Sequence, residues 1–416
     1  MIKLLIFGNL PVKEAEKAFN IGNSFGGNWM NGYINSISSI TNIEIFYAFP
    51  LKSIKKIITK KIGNISFIAY PFVYGKFYFS SHKLLPYLKK LKSRINPNLV
   101  HVFGTEFPIA FYCLKVFGVL KVIISIQGII TDVQKNYLSD LPFLIRLKFT
   151  LYELLSFNSL ILIFLSLKIR SFFELKALSN GVFFIGRTDY DYSFIKLYNS
   201  NFNYFNVYEP ISDDFQNEKW SIQNVEKNSI YFSQAFNPIK GFHIFLKTLS
   251  RIVKIEKNIK VYVSGYYDAN SNVFKKTTYS TFIHSIIKKN NLRNHIVFLG
   301  YLNSNQLSKY LLKSNVFVNC SLVENSSNSI TEALSIGVPV IASNAGGIQN
   351  FIRHGENGLI FNIKNSFILD YYILKLFNSD HLASSFSHNS RNFMKNYYQD
   401  DLAVKMKNVY HDVYKK

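Results

Sequence analysis

Short apolar runs alternate with longer stretches in which apolar positions recur every three or four residues, along almost the whole chain. Runs of four to eight apolar residues read as strands buried on both faces, and the periodic stretches between them as covering helices. In the first half the pattern predicts strands over residues 2–7, 43–48, 65–70, 99–103, 122–126 and 182–185. A second series starts afresh at 229–232 and continues over 260–264, 295–299, 316–319, 339–342 and 358–361. Between the two series the segment from Ser212 to Ser229 is polar enough to be an interdomain linker, with the boundary near 215–227. The expected fold is α/β, with two Rossmann-like domains over 1–214 and 228–395 facing each other across a cleft. A last helix over 396–416 is expected to pack back on the N-terminal domain.

One apolar stretch departs from this pattern. It runs from Leu160 to Leu167 and extends back to Leu154 only across Ser156, Asn158 and Ser159. At about 14 residues it is short of the roughly 20 that a spanning helix needs. Arg146 and Lys148 precede it, and Lys168, Arg170 and Lys176 follow. It reads equally as a segment lying in a membrane interface and as a buried helix or strand pair of the N-terminal domain.

With 48% hydrophobic and 18% charged residues the chain can bury cores, which excludes wholesale disorder. A formal net charge of +23 points to an anionic partner such as phosphates, nucleic acid or a phospholipid surface. The basic residues are spread over both halves and no nucleic-acid-binding module is recognisable, so nucleic acid is not expected as a partner. Cys113 and Cys320, the only cysteines, each sit in an apolar run and read as reduced core residues. The expected compartment is cytoplasmic, because the N-terminal run Met1 to Phe7 is short and fits a first buried strand better than a signal peptide.

The most informative stretch runs from Ser321 to Ile348. A strand enters a loop carrying Glu324, and a helix begins near Ser327 or Asn328, both good N-caps. The free amides at that helix start form an anion site, and Glu332 lies just inside the helix. Gly337 and Pro339 end the helix before the next strand. Two carboxylates beside an amide-lined phosphate site suit a ligand with both phosphates and hydroxyls, since neutral hydroxyls donate well to carboxylates. On these residues alone it is equally open that Glu332 only steadies the helix start and that Glu324 is a solvated loop charge.

The spacing Glu324, seven residues, Glu332-Ala333, then Gly337-Val-Pro-Val-Ile-Ala-Ser343, Gly346-Gly-Ile348 and Gly355-Glu-Asn-Gly-Leu359 resembles the donor-site signature of the family 4 glycosyltransferases. The resemblance implies a GT-B fold and transfer of a sugar from a nucleotide-diphosphate donor to a hydroxyl with retention of configuration. It implies that Glu324 contacts the donor sugar and Glu332 the ribose, while the helix start at Asn325, Ser326 and Ser327 faces the diphosphate. A second match, Gln234-Ala-Phe-Asn-Pro-Ile-Lys240-Gly241, resembles the family loop whose Arg and Lys neutralise the leaving diphosphate. Lys240 fits the lysine, but Ala235 stands where the arginine is usual, which leaves Lys240 as the main cation.

The N-terminal half matches less sharply. Gly26 and Gly27 follow the first strand and precede an amphipathic helix, so backbone could approach a phosphate or acceptor there. They lack the spacing of a dinucleotide fingerprint, which disfavours an NAD enzyme. His101, Glu106, Gln127 and Arg187 each lie at or just past a predicted strand end, and the motifs around them resemble a subgroup used in bacterial surface-polysaccharide assembly. Gln127, where many relatives have His, is expected on the donor side; Glu106 and Arg187 are candidates for the acceptor side, and His101 reads either as a further candidate there or as a satisfied core histidine. No cofactor beyond the nucleotide-sugar substrate is implied, and no Cys/His cluster or Asp-x-Asp triplet suggests a metal.

The expected acceptor is a carbohydrate or lipid-linked saccharide, in polysaccharide, lipopolysaccharide or capsule biosynthesis. An anionic membrane surface joins the expected partners, with the chain peripheral on the inner face of the cytoplasmic membrane. Two other readings stay open: a non-catalytic GT-B partner subunit, and another sugar-nucleotide enzyme such as an epimerase.

Overall fold

The computed structural model describes residues 1–22, 28–75, 78–265 and 276–416. They divide into two compact units, one of residues 1–134, 165–210 and 398–416, the other of residues 135–164 and 211–397.

The first unit is built on eight strands: β1 (Ile2–Phe7), β2 (Ile43–Leu51), β3 (Ile58–Ile62), β4 (Ile65–Pro71), β5 (Leu99–Phe103), β6 (Val122–Ser125), β7 (Phe183–Gly186) and β8 (Asn203–Asn206). They lie in the order β3-β4-β2-β1-β5-β6-β7-β8. Every pairing is parallel except β3 with β4. Strands β5 and β6 are buried at every position, as a sheet covered on both faces requires. The sheet grows from β1 toward β2 on one side and resumes at β5 on the other, so the chain direction switches between β1 and β5.

The second unit has β9 (Glu226–Ser233), β10 (Lys260–Ser264), β11 (Ile296–Gly300), β12 (Ser314–Asn319), β13 (Val340–Ser343) and β14 (Leu359–Phe361). Their order, β11-β10-β9-β12-β13-β14, is all parallel and doubly wound, with its switch point between β9 and β12. In such sheets the loops at the carboxyl ends of the two switch-point strands diverge and leave a crevice.

The division of the chain differs from the sequence reading at residues 135–164, which belong to the second unit and not with 1–214. Polar contacts hold them there. His243 Nε2 lies 3.1 Å from Asp140 Oδ2, and buried Glu153 accepts from the Thr278 amide (2.9 Å) and hydroxyl (2.5 Å). Residues 398–416 cluster with the first unit, where the helix Leu402–Lys415 packs on the helix Asn28–Ser38 and on β5.

The apolar stretch is also longer than the sequence reading of about 14 residues. The helix Leu160–Asn180 has 21 residues, and Leu151–Asn180 is, among the described residues, long and apolar enough by length and composition to cross a membrane, at mean hydropathy 1.5. Its second half is nevertheless a core helix. Buried Glu174 accepts from the Thr105 hydroxyl (2.7 Å) and from the amides of Ile130 (2.9 Å) and Thr131 (2.7 Å), capping the helix Ile130–Asn136 from below. Replacing Glu174 with Ala strands two amides and a hydroxyl in the core, so the variant is expected to lose roughly 2–4 kcal/mol. Urea unfolding followed by circular dichroism checks this; an unchanged midpoint would mean the helix does not depend on that core.

Candidate functional site

At the switch point of the second unit the loop after β9 meets the loop after β12. In the first of these, Asn237 caps a single 3-10 turn, Pro238–Lys240, by accepting from the Ile239 amide at 3.3 Å, and Gly241 ends the turn at φ +67°. A Cβ at Gly241 would meet the Cys320 carbonyl oxygen at 2.0 Å. Only glycine allows both that backbone conformation and that approach. The Leu322 amide donates to the Ile239 carbonyl at 2.7 Å, so the two loops are joined through backbone as well.

This contact brings Lys240 to Glu324. Lys240 Nζ donates to Glu324 Oε1 at 2.5 Å, with the two side chains 18% and 9% exposed. The Ser321 hydroxyl donates to the same oxygen at 2.7 Å and Asn319 Nδ2 approaches it at 3.5 Å. All three converge on Oε1, so Oε2 lies outside the set. The backbone of the loop is fixed too: Ser343 Oγ donates to the Ser321 carbonyl at 2.6 Å, and the Gly347 amide to the Glu324 carbonyl at 3.0 Å. The Gly346-Gly347 pair after β13 therefore serves to hold Glu324. A half-buried ion pair returns little net stability once its desolvation is counted, so the reason for this one lies elsewhere than in folding.

The helix predicted from Ser327 or Asn328 runs Asn328–Ile336, with Ser327 at its N-cap. The Ser327 side chain does not cap it and pairs instead with the Ser329 hydroxyl at 3.1 Å. In the first turn the Ile330 amide donates to the Ser327 carbonyl at 3.0 Å, while the amides of Asn328 and Ser329, without a partner among the described residues, keep their donors at the positive end of the helix dipole. Asn325 and Ser327 are buried, and Ser326 half-buried, in the loop just before them.

Glu332 sits five residues into the helix rather than in its first turn, and shares no hydrogen bond with Lys240 or Glu324 among the described residues. Burial pushes its carboxyl up to about 8. It faces Tyr231 of β9, whose phenol is raised first by its own burial and further by this carboxyl, and whose hydroxyl donates to Ser264 at 2.5 Å. Ala235 is fully buried, so no cation stands there beside Lys240.

In the first unit the predicted residues divide. Gly26 and Gly27 lie outside the described residues. His101 is a core histidine, not a lining one: it is fully buried, with Nδ1 3.0 Å from the Tyr410 hydroxyl and Nε2 2.7 Å from Ser125 Oγ, and burial lowers it to about 3. Arg187 is likewise taken up inside the fold. Its guanidinium pairs with Glu209 and donates to the Ile126 carbonyl at 3.1 Å, which fixes Gln127, half-buried at the end of β6.

Glu106 is placed otherwise. It follows β5 at the switch point, folded back over Gly104, where a Cβ would meet Glu106 Oε2 at 1.8 Å. That oxygen is buried and has no hydrogen-bond partner among the described residues. Burial pushes Glu106 up to about 7, with its own backbone amide and Arg170 pulling against the shift. Glu209 was not anticipated. Its Oε1 is buried without a partner, and nothing in the Glu209-Pro210 pair signals this in the sequence.

Known proteins match these features. Residues 214–393 match the family model described as "Glycosyl transferases group 1". The uncharacterized glycosyltransferase MJ1178 of Methanocaldococcus jannaschii is 27% identical over 182 residues, 44% of this chain and 47% of that protein, so the chain spans about half the length of that relative. Among solved structures, sucrose-phosphate synthase of Thermosynechococcus elongatus aligns with TM-score 0.72 and 14% identity over 100% of this chain and 99% of that one. Anabaena Alr3699/HepE in complex with UDP-glucose aligns with TM-score 0.64 and 12% identity over 100% of both chains. The likeness shows the fold: two parallel-sheet Rossmann-like units of the GT-B kind.

The raised Glu332 carboxyl links to stability with a definite sign. Between about 4.5 and about 8 the unfolded chain has lost a proton that the folded chain keeps, so this group favours folding less as pH rises through that window. Glu332→Gln should flatten that part of the decline. Urea midpoints of both chains across the window check it, and parallel curves would contradict the burial of the carboxyl.

Proposed function

We propose that the chain, of which residues 214–393 match the group 1 glycosyl transferases, moves a sugar from a nucleotide-diphosphate donor to a hydroxyl acceptor, with retention and without a metal. The observation that carries the reading is the Lys240–Glu324 pair beside an uncapped helix start at the switch point of the second sheet. Departure of a nucleoside diphosphate builds negative charge on phosphate and positive charge on the sugar ring. Lys240 Nζ and the amides at Ser327 to Ser329 supply preorganised positive charge for the phosphates.

Donor entry shares Lys240 between Glu324 and the phosphates. Glu324, still held by Ser321 and Asn319, then turns Oε2 to the hydroxyls of the sugar. Glu332 receives the ribose hydroxyls; donors reaching it favour its ionised form and draw its raised pKa back down. Asn325 and Ser326 line the diphosphate side; Gly26, Gly27 and Gln127 are further donor candidates that rest on the resemblance of the sequence alone. On the acceptor side Glu106, with its unpartnered Oε2, takes the acceptor hydroxyl; His101 and Arg187 act only by holding the strand ends around it. The product belongs to polysaccharide or capsule-type synthesis on the cytoplasmic side, with a saccharide acceptor, free or lipid-linked. Support for a nucleotide-sugar donor comes from the matched family and from the UDP-glucose bound to the structural neighbour.

The test has two parts. A panel of nucleoside-diphosphate sugars should raise the thermal midpoint of the chain, and only nucleotides should do so strongly. With the donor so found, Lys240→Ala should lower kcat/KM roughly 10²–10³-fold while Lys240→Arg, which keeps the charge, recovers part of it. Nuclear magnetic resonance of the product reports the anomeric configuration. Near-normal turnover in Lys240→Ala, or no protection by any nucleotide sugar, would overturn the reading.

A further inference from the structure

Residues 143–157 have their polarity turned inside out. Two short helices, Phe143–Leu147 and Leu151–Ser156, expose Phe143, Leu144, Leu151 and Leu155, with Phe149 exposed between them and Phe157 just after; Leu144 is at 69% and Leu155 at 70% exposure. The one carboxylate of the segment points the other way. Glu153 is 1% exposed and binds Thr278, while also closing a capping box with Thr150: the Thr150 amide donates to Glu153 at 2.9 Å and the Glu153 amide to Thr150 Oγ1 at 3.2 Å. Arg146 is pinned by donating to the carbonyls of Leu141 (2.7 Å) and Ser139 (3.1 Å). A segment whose polar groups fasten it to the fold and whose large apolar groups face out is preorganised to meet an apolar phase.

We infer that residues 143–157 dock the protein on an anionic bilayer surface, with the apolar side chains in the acyl boundary and Arg146 and Lys148 at the headgroups. Charge selects this occupant. The titratable side chains of the segment are Arg146, Lys148, Tyr152 and the inward Glu153, and the segment is preceded by Asp140, which is paired with His243. Two copies meeting through this face would oppose Arg146 and Lys148 of each, with only Asp140, beside Arg146 and already paired with His243, to offset them. Anionic headgroups offset them directly, on a chain whose net charge is +23. Helices of 5 and 6 residues lie in such an interface and do not cross it.

Sedimentation of the full chain with phosphatidylcholine vesicles, with and without phosphatidylglycerol, tests the inference without donor or acceptor, so its failure is separate from failure of the transferase reading. The full chain should sediment with phosphatidylglycerol-containing vesicles, less so at high salt. The variant Leu144→Ser/Leu155→Ser/Phe157→Ser should bind roughly tenfold or more weakly and keep its circular dichroism spectrum, and Lys148→Glu should reduce the preference for phosphatidylglycerol. Ile255→Ser, which removes an exposed residue elsewhere on the second unit, should change nothing. Equal binding of the triple-serine variant would overturn the inference. A lipid-free, concentration-dependent dimer that the same variant abolishes would also overturn it, in favour of a second copy as the occupant.

Discussion

The close approach of Gly241 to the Cys320 carbonyl is the constraint on which the second unit's chemistry depends. A parallel sheet puts β9 and β12 side by side with their carboxyl ends at one edge, but adjacency alone would leave the two following loops free to splay. With no Cβ at residue 241 the loops touch, and the touch sets Lys240 within hydrogen-bonding distance of Glu324. From that contact outward the supports are specific. Ser321 and Asn319 orient the carboxylate, Gly347 and Ser343 fix its backbone, and the next helix starts without a side-chain cap. A pair so well supported returns little net stability to the fold once its desolvation is counted.

Both sheets place a carboxyl near their switch points in surroundings that resist its charge. Glu332 is pushed up to about 8 and Glu106 to about 7, in each case first by burial. Two other buried carboxyls are met by donors: Glu174 has three and Glu153 takes the Thr278 amide and hydroxyl. Under the proposed reading Glu332 and Glu106 are the carboxyls left for hydroxyls of donor and acceptor.

Much of this was legible in the sequence, for physical reasons that vary along the chain. Strands β1, β5 and β10 fall where short, mostly apolar runs predict them, because burial on both faces leaves little polar alternation to confuse the ends. Strand β3 was missed because Lys60 and Lys61 occupy an antiparallel edge, and β8 because its four residues begin and end in Asn. The loop of Glu324 could be placed from spacing, since a strand end followed by a helix start puts it at a predictable edge; Lys240 was named from the resemblance of its loop to the family's cationic one. His101 is the satisfied core histidine that its apolar strand allowed, whereas Arg187 misled: a position just past a strand end says nothing of which way the side chain points, and Arg187 points into the fold. The helix Leu160–Asn180 was under-read because Lys168, Arg170 and Glu174 interrupt its apolar run, whereas Glu174 is in fact turned inward onto backbone donors.

The central claim is that one cation and one helix start, joined through the Gly241 contact, form a diphosphate site. A crystal structure of the chain grown with a nucleoside diphosphate tests it most directly. The account predicts the phosphates within hydrogen-bonding distance of Lys240 Nζ and of the amides at Ser327 to Ser329, with Glu332 meeting the ribose. A nucleotide bound away from the ends of β9 and β12, with the Lys240–Glu324 pair undisturbed, would contradict it.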